Sequence, residues 1–132
     1  MDILVIDDSK EDRDLIINYI KKIKKTFNIE ECNCLNDGIK NLSKYAYDAI
    51  ILDLALPESD GIDTVETILE HLYKHNQNTP VIILTGLEDY TVGRKAWMLG
   101  VKEFLIKDEI QQKDLSRALT FSKKHNSKSM TA

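Results

Sequence analysis

The sequence predicts a doubly wound α/β fold: five parallel strands in one sheet, with helices covering both faces. Three observations lead there. The runs DILVID at 2–7, DAIILD at 48–53 and PVIILT at 80–85 are almost continuously apolar and rich in β-branched residues. Strands with one wet face would alternate, so such runs are strands buried on both sides, as parallel sheets require. Helix-length amphipathic stretches separate them, the spacing that parallel crossovers need. Finally, 132 residues suit one domain with one substantial core.

Each element follows from its own residues. The first strand, 2–7, ends on Asp7 and Asp8. Ser9 followed by Asp12 has the form of a capping box opening the first helix. Glu11, Asp12 and Asp14 lie early in that helix and Lys21, Lys22, Lys24 and Lys25 late, the order its dipole favours. Leu15, Ile16, Tyr19, Ile20 and Ile23 recur at helical spacing and are expected to form its buried stripe. A weaker strand, IEECNC at 29–34, carries Cys32 and Cys34 on one face. Neighbours two apart in an extended segment are poorly placed to pair with each other, so both are read as buried free thiols. A second helix is expected at 36–44, and the third strand, 48–53, ends on Asp53. Gly61 opens a third helix at 61–75. Pro80 begins the fourth strand, where a missing amide donor costs least, and Thr85 ends it. A fourth helix at 88–99 stops at Gly100. The fifth strand, KEFLI at 102–106, leads into Lys107, and a fifth helix is placed at 111–125. Residues 126–132 read as a tail; Lys123, Lys124 and Lys128 make this end locally basic, as solvated charges.

Composition narrows the function. Apolar residues at 42% and charged residues at 30% are ordinary for a globular protein, and no apolar run approaches the length of a bilayer span. The chain starts with no basic and apolar leader, so a cytoplasmic protein is expected. A net charge of −4 opposes non-specific attraction to nucleic acid, and no direct nucleic-acid or membrane contact is expected.

The chemistry gathers at the carboxyl ends of the strands, where open α/β sheets bind ligands. Asp7, Asp8, Asp53, Thr85 and Lys107 all fall there. One acidic residue at a strand end is ordinarily a turn former. Three carboxylates brought together in a partly desolvated cleft repel one another unless a cation neutralises them. Oxygen donors with nearby water suit magnesium, which favours one or two carboxylates plus phosphate oxygens. With Asp7 and Asp8 committed to the cation, Asp53 is left as a carboxylate nucleophile toward phosphorus. Lys107 supplies a compact positive charge for phosphoryl oxygens and Thr85 a hydroxyl donor. Backbone amides after Asp53 and Thr85 complete a cradle, with Gly86 allowing close approach.

The stretches ILVIDDS at 3–9, IILDLALPESDGID at 50–63, ILTG at 83–86 and AWMLGVKEFLIK at 96–107 resemble, in order and spacing, the response-regulator receiver family of two-component signalling. The resemblance covers nearly the whole chain. It implies a flavodoxin-like receiver domain over 1–125 with strand order 2-1-3-4-5, and Mg2+ held by Asp8, Asp53 and the backbone carbonyl of Ala55, with Asp7 acting through water. It implies that Asp53 takes a phosphoryl group from a phosphohistidine on a sensor histidine kinase or a histidine phosphotransfer protein. In the family the threonine at the position of Thr85 swings toward the phosphoryl group and the aromatic at the position of Phe104 turns inward. That remodels the surface of the fourth helix, fifth strand and fifth helix, which meets a downstream protein or a second copy of the chain. The chain then catalyses only its own phosphotransfer and dephosphorylation and acts as a switch.

Two departures from the family carry expectations. Proline usually follows the lysine, but here Asp108 does; a cis bond without proline costs about 2.5–4 kcal/mol, so a trans Lys107–Asp108 bond is expected. Ala55 and Leu87, each two residues past a pocket residue, carry no polar atom to steer water, so hydrolysis of a phosphoaspartate is expected to be slow.

Other signals are weaker. His71 and His75 stand four apart on a helix without a third metal ligand and read as a solvated face. Trp97 reads as a packing residue. No Walker glycine loop and no dinucleotide fingerprint follows the first strand. A phosphatase of the haloacid-dehalogenase class would need a second aspartate where Ala55 stands, and an interaction module with an unused pocket is the remaining alternative.

Overall fold

The computed structural model describes residues 1–86 and 90–120, and the structural account is confined to them. Along the chain run β1 (Asp2–Ile6), α1 (Lys10–Ile23), β2 (Asn28–Cys32), α2 (Leu35–Lys44), β3 (Ala49–Leu52), β4 (Ala55–Leu56), β5 (Ser59–Asp60), α3 (Gly61–Lys74), β6 (Val81–Thr85), α4 (Tyr90–Leu99), β7 (Glu103–Ile106) and α5 (112–120). The extension of the fifth helix to 125, the tail at 126–132, the start of the fourth helix at 88 and Leu87 lie outside the described residues.

Five strands form one sheet in the order β2-β1-β3-β6-β7, every neighbouring pair parallel. Numbered among themselves along the chain, these strands run 2-1-3-4-5. Two further strands were not foreseen: β4 and β5 pair antiparallel as a two-rung ladder, Ala55 with Asp60 and Leu56 with Ser59. They are too short to carry an apolar pattern, which is why periodicity misses them.

Alternation within each buried strand divides the core in two. Leu4, Ile6, Ile50, Leu52, Val81 and Ile83 face α2, α3 and α4, where they meet Leu35, Leu42, Val65, Ile68, Leu72 and Ala96. Ile3, Val5, Ala49, Ile51, Ile82 and Leu84 face the other way, toward Ile16 and Ile20 of α1 and Leu115, Ala118 and Leu119 of α5. Successive strand side chains point to opposite faces, so a continuous apolar run fills both cores at once. Each fully buried Leu, Ile or Val contributes about 1.5–3 kcal/mol relative to exposure.

Helix ends follow backbone chemistry. Ser9 caps α1, its Oγ accepting from the Asp12 amide at 3.2 Å. The reciprocal half of a capping box is missing, because the Ser9 amide donates to Asp7 Oδ1 at 2.9 Å and the Asp12 carboxylate is engaged elsewhere. Leu15 departs from the expected stripe and is exposed, since the helix buries the narrower line through Ile16 and Ile20. Gly100 ends α4 at φ +109, a conformation that glycine adopts without strain, and Val101 closes the turn by donating to the Ala96 carbonyl at 3.2 Å.

Candidate functional site at the carboxyl rim of the sheet

Backbone pairing carries the rim beyond the strands themselves. The Asp7 amide donates to the Cys32 carbonyl at 3.0 Å and the Asp53 amide to the Ile6 carbonyl at 2.9 Å. Both residues thereby stay in register one step past β1 and β3, and their carboxylates emerge side by side. The Lys107 amide donates to the Thr85 carbonyl at 2.8 Å, which fixes the lysine just beyond β7. Asp7, Asp8 and Asp53 bring one carboxylate oxygen each within 4.8 Å of one another, the only such trio of potential metal ligands among the described residues. Asp7 and Asp53 are buried and Asp8 is exposed.

Lys107 is the counterweight. Its Nζ lies 2.8 Å from Asp7 Oδ2, 2.8 Å from Asp12 Oδ2 and 3.1 Å from Asp53 Oδ2. Burial by itself would depress the lysine's pKa, but the hydrogen bond to Asp12 and the close negative charges of Asp7 and Asp53 outweigh it and raise the value, so the side chain stays an ammonium. Burial pushes the Asp7 carboxyl up, against the opposing pull of Lys107 and the Ser9 amide. Asp7 Oδ2 has a charge partner in Lys107, yet the ammonium sits off the line of a hydrogen bond, leaving this buried oxygen without a donor. An all-oxygen set containing a buried carboxylate oxygen short of a donor fits a hard divalent cation.

Thr85 is fully buried at the end of β6. Gly86 is exposed, and among the described residues, its chain neighbours apart, no atom lies within 4 Å of where a Cβ would stand. Ala55 is exposed in β4, its amide 3.3 Å from Asp53 Oδ1. Phe104 is partly buried on β7 against the core beneath α4, and a Cβ on Gly93 would stand 3.7 Å from its ring. Among the described residues no peptide bond is cis, Lys107–Asp108 included.

Three residues of this rim went unread in the sequence. Asp12 passed for a helix-capping acid, and only the fold brings it 95 positions along the chain to Lys107. Arg13 donates to the Asp7 carbonyl at 2.7 Å and to Glu31 at 3.1 Å, bracing the β1–α1 turn. Glu58 accepts from the Leu35 amide at 3.0 Å and so caps α2, whose own N-cap residue, Cys34, makes no side-chain cap. That bond, first among several backbone contacts, holds the Glu58 carboxyl below its usual value.

Several weaker expectations need correction. Cys34 is not on the second strand, which stops at Cys32; it is the partly exposed residue before α2, and only Cys32 is buried. Trp97 is exposed together with Met98 and Tyr90, because Gly93 and Ala96 occupy the buried line of α4. His75 is solvated, but His71 is half-buried and the two rings stack with centroids 4.1 Å apart.

A doubly wound sheet with clustered acids and a lysine at its carboxyl rim defines a phosphoacceptor class of protein. This chain belongs to the response regulator receiver domain family, whose pattern it matches over residues 3–120. It is thus a receiver domain of two-component signalling. It is 29% identical over 120 residues to the chemotaxis protein CheY of Treponema pallidum, covering 87% of this chain and 78% of that protein. It is also 29% identical over 106 residues to the transcriptional regulatory protein SrrA of Staphylococcus aureus, covering 80% of this chain but only 41% of that protein. Among solved structures it resembles the receiver domain of the Francisella response regulator 1452, at 26% identity and a TM-score of 0.75 over 95% of this chain and 98% of the other. The receiver domain of a Luxo repressor protein of Vibrio parahaemolyticus matches at 26% identity and a TM-score of 0.77, over 94% and 90%. No helix of the described residues is long and apolar enough to cross a membrane.

Proposed function

We propose that Asp53 is the phosphoacceptor and that its phosphorylation by a phosphohistidine, on a sensor histidine kinase or a histidine phosphotransfer protein, changes which protein this cytoplasmic domain binds. One observation carries the reading: the Asp53 carboxylate stands beside two other carboxylates and 3.1 Å from an ammonium, at the rim where such sheets bind ligands. Asp7, Asp8, Asp53 and the carbonyl of Ala55 would hold Mg2+, which supplies charge neutralisation for the acids and for an incoming phosphoryl group. Asp53 forms its bond to phosphorus while the donor imidazole leaves with the electron pair of the broken P–N bond. Lys107, the Thr85 hydroxyl and the Gly86 amide take the phosphoryl oxygens. Thr85, drawn to the new anion, leaves room for Phe104 to turn inward beneath α4. The exposed Tyr90, Trp97 and Met98 belong to the face this would remodel.

The test is incubation with acetyl phosphate and magnesium, followed by intact mass of the wild type and Asp53→Asn. One phosphoryl group on the wild type and none on the variant is the expected result. Modification of both proteins, or of neither, overturns the assignment.

A further inference from the structure

One carboxylate at the rim has no part in the steps above. Asp12 comes from the first turn of α1, yet its Oδ2 receives Lys107 Nζ at 2.8 Å, closer than the 3.1 Å to Asp53. The helix does not occupy that carboxylate with capping. Ser9 Oγ takes the Asp12 amide, and the Ser9 amide goes to Asp7 Oδ1. Nor is Asp12 buried with its companions. Its side chain is 41% exposed, against 1% for Asp7, 5% for Asp53 and 17% for Lys107, so it forms the solvent side of the lysine's cage.

We propose that Asp12 is a positioning residue that draws Lys107 toward α1 in the unphosphorylated protein, so that an arriving phosphoryl group must displace it from the ammonium. This rests on the reading of Asp53 as phosphoacceptor. When acetyl phosphate is the donor, an Asp53 oxygen bonds to phosphorus. The bond from phosphorus to the acetyl oxygen breaks, and its electron pair leaves with acetate. The transferred group brings anionic oxygens that need Lys107, and Asp12 competes for the same ammonium. Its charge also opposes any anionic donor approaching from solvent. Asp12 therefore acts as a brake: it keeps the lysine compensated at rest and slows capture from small anions.

The experiment measures the rate of modification by acetyl phosphate with magnesium, by intact mass, for wild type, Asp12→Asn, Asp12→Glu and Asp53→Asn. Asp12→Asn keeps the shape and removes the charge. It should react about fivefold faster at low ionic strength, the factor for two charges in contact through water. The gap should close in about 1 M salt, where screening reaches contact range. Asp12→Glu should react at the wild-type rate. In parallel, 19F NMR should show trifluoroberyllate binding about fivefold more tightly to Asp12→Asn. A lost helix contact would produce neither the salt dependence nor the tighter anion. If wild type is modified and Asp53→Asn is not, but Asp12→Asn reacts no faster or gains equally at every salt concentration, the brake is refuted and the phosphoacceptor reading stands. If Asp53→Asn is modified like wild type, or wild type is not modified, both fall.

Discussion

Replacing Lys107 with Met removes the cation from the rim while keeping an unbranched side chain only one atom shorter. The cost follows from what the ammonium touches. Asp7 and Asp53 have side chains only 1% and 5% exposed, and each loses a charge partner at 2.8 and 3.1 Å. Breaking a buried pair by removing one partner costs about 3–5 kcal/mol, whereas the half-exposed Asp12 contact adds about 1 kcal/mol at most. Apolar contacts of the Met offset part of this, leaving a net loss of about 3 kcal/mol. With a urea slope of about 2 kcal/mol/M the midpoint should fall by about 1.5 M, read by circular dichroism in chelator at neutral pH. The pH dependence has a definite sign. Burial raises the Asp7 carboxyl above its ordinary 3.8, so its destabilising charge is present above the folded pKa and disappears as pH falls through it. Loss of Lys107 raises that pKa further, so the deficit of Lys107→Met relative to wild type should shrink on acidification. The wild-type contribution of Lys107, whose pKa is raised above 10.5, is complete at neutral pH and is lost only in strong alkali. In an Asp7→Asn background the same substitution should cost clearly less. A deficit under about 1 kcal/mol, or one unchanged by Asp7→Asn, would mean that electrostatic compensation at this rim has been misread.

Other expectations are simpler to check. Gly38→Ala places a Cβ 2.5 Å from Ile6 Cδ1 in the packed core. Overpacking of about 1–3 kcal/mol should exceed the gain of about 1 kcal/mol in helix propensity, so differential scanning calorimetry should show a lower Tm; a rise would refute it. Ser9→Ala leaves the Asp12 amide without its cap and should cost about 1 kcal/mol, or about 3–5 °C in Tm. Glu58→Ala should speed hydrogen exchange of the Leu35 amide. Because the Glu58 pKa is lowered in the fold, this protection should in wild type fade as pH falls below the ordinary value of 4.5. The phosphorylated protein, once freed of donor, should lose its phosphoryl group slowly, since Ala55 and Leu87 offer no polar atom to attacking water; rapid loss of radiolabel defeats this.

Much was legible without coordinates because the relevant physics is local. Ile3 to Ile6, Ala49 to Leu52 and Val81 to Leu84 announce doubly buried strands through composition alone. A strand of that kind ends where polarity begins, so Asp7, Asp53, Thr85 and Lys107 could be assigned to one rim before their distances were known. Less was legible where local signals were balanced. Leu15 has the right spacing for a buried stripe but lies at its margin, and Trp97 is apolar on a helix whose buried line is taken by smaller residues. Cys34 continues a strand-like stretch in sequence, whereas Glu58, which holds the start of α2 beside it, arrives from 23 positions beyond Leu35.

Taken alone, the sequence determined the layered α/β architecture, the family and the residues at the strand ends, because hydrophobic period and motif spacing are written along the chain. Tertiary structure decided who touches whom: that Lys107 is shared among Asp7, Asp12 and Asp53, that Glu58 caps a distant helix, and that Asp12 serves the lysine in place of its own helix. The physical reason is range. Backbone preference and burial pattern act over a few residues, whereas a salt bridge spanning 95 positions exists only after parallel strands have brought their ends together.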